Sequence, residues 1–174
     1  STTAMIERLI AFDTTSRNSN LELIHFVRDY LAGHGIESDL IHDESGHKAN
    51  LFATIGPVCD GGIVLSGHTD VVPVSKGWSS DPFTATVKED KLYGRGSCDM
   101  KGFIACALAY APIFSKSNLD RDIHFSFTFD EETACQGAPI LIEELKKRDI
   151  KDGICIIGEP TNMKIIDAHK GCYE

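Results

Sequence analysis

The chain contains Ile63-Val64-Leu65-Ser66-Gly67-His68-Thr69-Asp70, an apolar run that ends in a histidine and an acid. The same arrangement recurs where residues 123–129 lead into Asp130-Glu131-Glu132, and where residues 154–158 lead into Glu159. Short apolar runs of this length are typical of buried β-strands. Helical patterns separate them, and strands that alternate with helices indicate an α/β fold. We therefore predict a mixed, mostly parallel sheet with helices on both faces.

The remaining elements follow from periodicity and turn residues. Charged residues 89–91 separate two β-prone runs and predict a hairpin. Apolar residues at helical or strand spacing predict the other elements: helices over 3–15 and 23–31, from Asp99 or Met100 to Pro112 and after Pro139, and strands at 36–41, 51–55 and 164–168.

The acidic residues that follow the strands predict where a functional site lies. In an open α/β sheet, ligands bind in the crevice at the carboxyl ends of the strands. One imidazole and several carboxylates gathered there favour a hydrolytic metal site. The candidate residues are His68, Asp70, Asp99, Glu131, Glu132 and Glu159.

Each candidate also has a purely structural interpretation. In an extended His-x-Asp unit, Asp70 can accept the free ring N–H of a metal-bound His68, but a loop histidine beside an acid is equally simple. Asp99, in a glycine-rich string, can aim a carboxylate at a metal or cap the following helix. Glu131 and Glu132 can share the work of general base and ligand, or form only an acidic turn. The combination of all these positions favours the metal site.

The composition limits the classes of partner. The 174 residues carry a formal net charge of −9, which argues against nucleic acid and anionic membranes as partners. The sequence shows no transmembrane stretch and no signal-peptide pattern. Six cysteines without a C-x-x-C pair indicate reduced thiols rather than a disulfide framework. These features together predict a cytoplasmic protein.

Five strings of the sequence resemble the dinuclear zinc amidohydrolases, the family that includes acetylornithine deacetylase, succinyl-diaminopimelate desuccinylase and aminoacylase. The resemblance covers nearly the whole chain in the same order. Within the family, Cys98, Phe103-Ile104-Ala105 and Ala168-His169-Lys170-Gly171 look most like acetylornithine deacetylase. The matching strings are residues 66–73, 77–83, 93–102, 130–132 and 158–161.

The resemblance implies a role for each candidate. His68 and Glu159 would bind one zinc, Glu132 would bind the other, and Asp99 would bridge both. Asp70 would orient His68, and Glu131 would be the general base. The implied reaction is hydrolysis of N-acetylornithine to ornithine and acetate in arginine biosynthesis, on a small N-acyl amino acid substrate. Cobalt is an alternative metal.

The resemblance also implies an incomplete catalytic domain. Family members are about twice as long, carry a lid domain and a further catalytic segment with the last zinc ligand, and a homodimer is expected for the full-length parent. Residues 1–174 would then be the amino-terminal part of the zinc-aminopeptidase-like catalytic domain. This part would hold one zinc or none and be weakly active or inactive. A desuccinylase or dipeptide hydrolase, and a non-catalytic metal- or partner-binding fragment, remain alternatives.

Overall fold

A computed structural model describes residues 1–148 and 153–168. The chain alternates helices and strands, as the sequence predicts. In chain order, the elements are α1 (Thr2–Ile10), α2 (Leu21–Ala32), β1 (Ser38–His42), β2 (Ala49–Ile55), β3 (Ile63–His68), β4 (Thr86–Lys88), β5 (Lys91–Tyr93), α3 (Lys101–Phe114), β6 (Ile123–Thr128), α4 (Gly137–Lys147) and β7 (Ile154–Ile157).

The described residues form a central sheet of five strands in the order β1-β2-β6-β3-β7. Strand β3 is parallel to both of its neighbours, β6 and β7, whereas β2 is antiparallel to β6 and to β1. Four strands therefore point the same way and only β2 is reversed, which confirms the predicted mixed, mostly parallel sheet. Strands β6, β3 and β7 lie side by side, so their carboxyl ends meet at one edge.

Helices cover both faces of the sheet. One face carries α1, α2 and α3, which enclose the main core against inward side chains of β2 and β6 such as Leu51 and Phe127. Helix α4 contacts β1, β2 and β6. There Asn50 donates to the Gly137 carbonyl at 2.9 Å, from the face opposite its neighbour Leu51. The alternation along β2 thus supplies side chains to both layers.

Two predicted elements differ from the structure. Helix α1 ends at Ile10 instead of continuing to residue 15, because the Asp13 carboxylate accepts from the N–H and hydroxyl of Thr15, and Thr15 pairs with Val71 in a β-bridge. The predicted strand at 164–168 is wrong. Ile165 is 98% exposed, and no described residue pairs with this segment in a strand ladder. The predicted hairpin is confirmed as β4–β5.

Other sequence expectations concern the cysteines and the membrane. Cys59, Cys98, Cys106 and Cys135 are free thiols, as predicted for them, and Cys172 lies outside the described residues. None of the helices in residues 1–148 and 153–168 has the length and apolar character needed to span a membrane.

Lys101 at the start of α3 is fully buried and joins α3 to the end of α1. Its ammonium donates to the carbonyls of Leu9 at 3.1 Å and Phe12 at 2.7 Å. The Leu9 carbonyl, in the last turn of α1, also accepts from the Phe12 N–H, and the Phe12 carbonyl also accepts from the Thr14 N–H. Burial lowers the pKa of Lys101 to about 7, against an opposing effect of Asp13.

Lys101→Met is expected to destabilise the chain by about 1–3 kcal/mol, because it removes two hydrogen bonds that the buried Lys101 amine donates. The unfolded lysine has the higher pKa, so between pH 7 and pH 10 the unfolded state binds more protons and the lysine's contribution to stability rises with pH. Urea unfolding should therefore show a gap from wild type that widens over this range. The exposed Lys116→Met is the control, and an equal effect of both variants would contradict the prediction.

Candidate metal centre

His68, the last residue of β3, is the centre of the site. His68 is only 2% exposed, yet its ring faces several acids. The Nε2 atom lies 3.0 Å from an Asp99 oxygen, 3.7 Å from a Glu159 oxygen and 3.9 Å from a Glu131 oxygen. The structure therefore brings the predicted histidine together with acids from three separate parts of the chain.

The other ring nitrogen of His68 is held by Asp70. Nδ1 lies 2.9 Å from the main-chain carbonyl oxygen of Asp70 and 3.5 Å from its carboxylate. A carbonyl oxygen only accepts, so Nδ1 carries the proton and donates. In the neutral ring, this leaves the Nε2 lone pair directed at the acids, which is the orientation that a metal ligand needs.

The carboxylate of Asp70 organises the loop after β6. It accepts from the main-chain N–H of Glu131 at 3.0 Å and of Glu132 at 3.3 Å. The Ser16 hydroxyl donates to it at 2.7 Å. Sequence reasoning missed Ser16, because a serine in a polar loop gives no signal of such a contact.

Asp99 is not the N-cap of α3, although the sequence left that interpretation open. The N-cap is Met100, so the Asp99 side chain reaches His68 instead. The glycines around it allow a tight path. Gly96 has a φ of +79°, and a Cβ on Gly102 would meet the Ser97 carbonyl at 2.4 Å. Side chains do not fit at these positions, which explains the glycine-rich string.

The six predicted residues form one cluster with two overlapping groups of candidate ligand atoms. Atoms of His68, Asp99 and Glu132 lie within 4.8 Å of one another, and so do atoms of His68, Glu131 and Glu159. Glu159 reaches the cluster because it follows β7, the strand next to β3. Either group offers one nitrogen and two carboxylates, a donor set that suits zinc.

The charges in the cluster are poorly balanced without a cation. Burial opposes protonation of His68, but the hydrogen bond and charge of Asp70 outweigh it and raise the pKa of His68 to about 9. The pKa of Glu132 is raised by burial and by Asp99, and that of Glu159 by burial and then by Asp99 and Glu131, although His68 opposes both shifts. Acids that repel one another around one imidazole fit a divalent metal.

Metal binding at pH 7 is expected to release about one proton from His68, because its pKa near 9 keeps the free ring charged and a metal needs the neutral ring. The apparent affinity should rise about tenfold for each pH unit from 6 to 8. Zinc titration calorimetry in buffers of different ionisation enthalpy counts the protons. A release near zero over this range would contradict the assigned state of His68.

A separate cavity of about 780 Å³ lies at the opposite end of the sheet. Asp122 and His124, at the amino end of β6, are among its lining residues. None of the six predicted site residues lines it, so it does not belong to the metal centre.

The profile of Peptidase family M20/M25/M40 matches residues 64–170, which is more than half of the chain and includes all six candidates. The chain belongs to this family. Curated proteins similar to it carry the name acetylornithine deacetylase, so the family resemblance predicted from the motifs is confirmed.

Two curated relatives show how much of an M20 protein this chain represents. The acetylornithine deacetylase of Pasteurella multocida (strain Pm70) is 39% identical over 175 residues, which cover 96% of this chain and 45% of that protein. That of Proteus mirabilis (strain HI4320) is 41% identical over 164 residues, covering 92% and 41%. The chain thus spans less than half the length of these relatives.

Solved structures of M20 relatives share the fold. The M20 family metallo-carboxypeptidase Sso-CP2 from Sulfolobus solfataricus superposes with a TM-score of 0.78 at 21% identity, over 91% of this chain and 37% of that one. Human carnosine dipeptidase 1 gives 0.75 at 24% identity, over 90% and 37%. These matches confirm the fold class.

Proposed function

We propose that residues 1–174 are the metal-binding, amino-terminal part of the catalytic domain of a zinc-dependent amidohydrolase. The observation that carries the proposal is the buried His68, whose Nε2 faces three acids within 3.9 Å while Asp70 holds its Nδ1. The match to 41–45% of the curated relatives' length supports the assignment to one part of a longer domain. In that domain, a lid and a further catalytic segment would follow.

The proposed ligands come from the two groups of atoms but are divided differently between the ions. His68 and Glu159 would hold one zinc, Glu132 would hold the second, and Asp99 would be shared between them, with Glu131 left as the base; cobalt could replace zinc. The set available in this chain supports about one zinc, with an open fourth position, as in catalytic sites. Glu132 alone is a poor second site, so its zinc would need a ligand from outside these residues.

Of the remaining residues, Glu131 would transfer protons and Asp70 would position the ligands. Bound zinc would polarise the amide carbonyl and lower the pKa of a water in the site. Glu131 takes a proton from that water and returns it to the nitrogen of the leaving amine. Asp70 keeps Nδ1 of His68 as a donor and fixes the main chain of the acid pair through the Glu131 and Glu132 amides.

The names of the relatives support N-acetylornithine as the substrate, with ornithine and acetate as products. We propose arginine biosynthesis in the cytoplasm as the context. A small N-acyl amino acid is the proposed partner, rather than nucleic acid or membrane, and a homodimer is proposed for the full-length protein. The same metal centre would serve a desuccinylase or a dipeptide hydrolase, so acetylornithine should be assayed beside succinyl-diaminopimelate.

A second candidate function is a non-catalytic module that binds a metal or a partner. The exposed apolar residues of β7 favour it: Ile154 is 61% and Ile157 63% exposed, and Ile166 beyond the strand is 58% exposed. Large apolar side chains on both faces of an edge strand are typical of surfaces that another chain covers.

Metal content and turnover, measured on one sample of the purified chain, test the proposal. We expect about one zinc per chain by plasma mass spectrometry, with weak or no hydrolysis of acetylornithine. No bound zinc, even after zinc is supplied, would contradict the metal centre. Zinc together with full turnover would contradict the view that further catalytic residues are needed.

A further inference from the structure

A largely buried ion pair lies next to Glu131 and Glu132 of the metal centre. The Lys48 ammonium is 2.5 Å from the Asp130 carboxylate, and their side chains are only 15% and 10% exposed. Lys48 also donates to the main-chain carbonyl of Ser16. No described contact joins Lys48 to any of the six predicted site residues, so its influence must pass through its partners.

These partners close a ring around the loop that carries Glu131 and Glu132. The Ser16 carbonyl is bound by Lys48, while the Ser16 hydroxyl donates to Asp70. Asp70 accepts the Glu131 and Glu132 amides. Asp130 precedes Glu131 and Glu132 in sequence, and its carboxylate accepts from Lys48, which completes the ring of contacts. The loop is thus fixed from both sides, and both connections converge on Ser16.

The backbone at Asp130 explains why this loop needs such support. Asp130 has a φ of +53°, in the left-handed region, which a residue with a Cβ adopts at a cost. This conformation precedes the two amides that reach Asp70. Strained residues at functional sites persist only where the surroundings hold them. Lys48 and Ser16 supply that hold from outside the metal centre.

We propose that Lys48 and Asp130 are positioning residues, which set the Glu131 and Glu132 carboxylates for metal binding and base catalysis. The expected change in metal affinity rests on the proposed function. The expected change in the protection of the Glu131 and Glu132 amides does not. Outer residues that orient metal ligands typically change affinity by about 10–100-fold when they are removed. An ion pair that served stability alone would leave affinity unchanged once the variant is folded.

The test compares Lys48→Met with Lys48→Arg, using Co²⁺ alone as the probe. We expect Lys48→Met to weaken Co²⁺ binding about 10–100-fold and to change the visible absorption of bound Co²⁺, because Ser16 links Lys48 to Asp70, which holds Nδ1 of the ligand His68. Lys48→Arg should restore both. Arg148→Met, which breaks the ion pair of Arg148 with Asp39 far from the site, is the matched control and should keep the wild-type affinity.

Amide hydrogen exchange gives a readout that needs no metal. In Lys48→Met, the Glu131 and Glu132 amides should lose protection, while the amides of β2 and β6 remain protected. Wild-type Co²⁺ affinity and wild-type protection in folded Lys48→Met would overturn the proposal. If the wild-type chain binds no Co²⁺, the metal centre of the proposed function fails, and exchange at these two amides alone decides the positioning role.

Discussion

Replacing His68 with alanine is expected to abolish zinc binding by this chain. His68 belongs to both groups of candidate ligand atoms and supplies the nitrogen of each. Without it only carboxylates remain, a set that suits magnesium or calcium better than zinc. We expect the zinc affinity to fall by more than about 100-fold, beyond the range of residues that only orient a ligand. Competition with a chromophoric chelator measures the change.

The control is His42→Ala, which removes an exposed imidazole at the end of β1. It should bind zinc as the wild type does. Unchanged binding in His68→Ala would show that the cluster is an acidic surface without a defined zinc site.

The metal-free chain gives a second readout of His68. Its folded-state pKa, near 9, lies above the ordinary value, so its stabilising contribution is complete below about pH 6.5 and is lost as the pH rises through 9. His68→Ala should therefore lower the free energy of unfolding more at pH 6 than at pH 9.5. A loss that is equal at both values would mean that the ring is not charged in the metal-free site.

The position of the site could be predicted because it depends on topology. His68 ends one of three neighbouring parallel strands and Glu132 and Glu159 follow the other two, and apolar runs identify such strands in a sequence. Once β6, β3 and β7 pair in parallel, their ends must converge. The position of Asp99 could be predicted from the glycines around it, because such a glycine-rich string indicates a tight turn.

The support around the site could not be predicted, because it depends on long-range contacts of ordinary residues. Ser16 reaches Asp70 across 54 positions of sequence, and Lys48 reaches Asp130 across 82. Lys101 reads as a surface lysine on a helix but is fully buried. The segment 164–168 has the composition of a strand, yet it has no strand neighbour among the described residues, and composition alone carries no such information.

The adjacent acids Glu131 and Glu132 should respond differently to replacement by glutamine. Adjacent side chains diverge, and here each joins a different group: Glu132 with Asp99, and Glu131 with Glu159. The Glu131 side chain is 41% exposed, so it can reach a substrate, while His68 lies 3.9 Å from its oxygen. In a longer protein that supplies the missing ligand of the second zinc, we expect Glu131→Gln to keep zinc affinity within about threefold, and Glu132→Gln to weaken binding of the second zinc by more than about tenfold.

Turnover separates the two roles further. It can be measured in a chimera of these residues with the remaining segment of the Proteus mirabilis acetylornithine deacetylase, whose matching part is 41% identical. Glu131→Gln should lower kcat about 10²–10⁴-fold with zinc bound, because glutamine cannot take the proton. In Glu132→Gln, added zinc should recover part of the loss, since the base is still present. Recovery by zinc in Glu131→Gln, with none in Glu132→Gln, would mean that the roles of ligand and base are reversed.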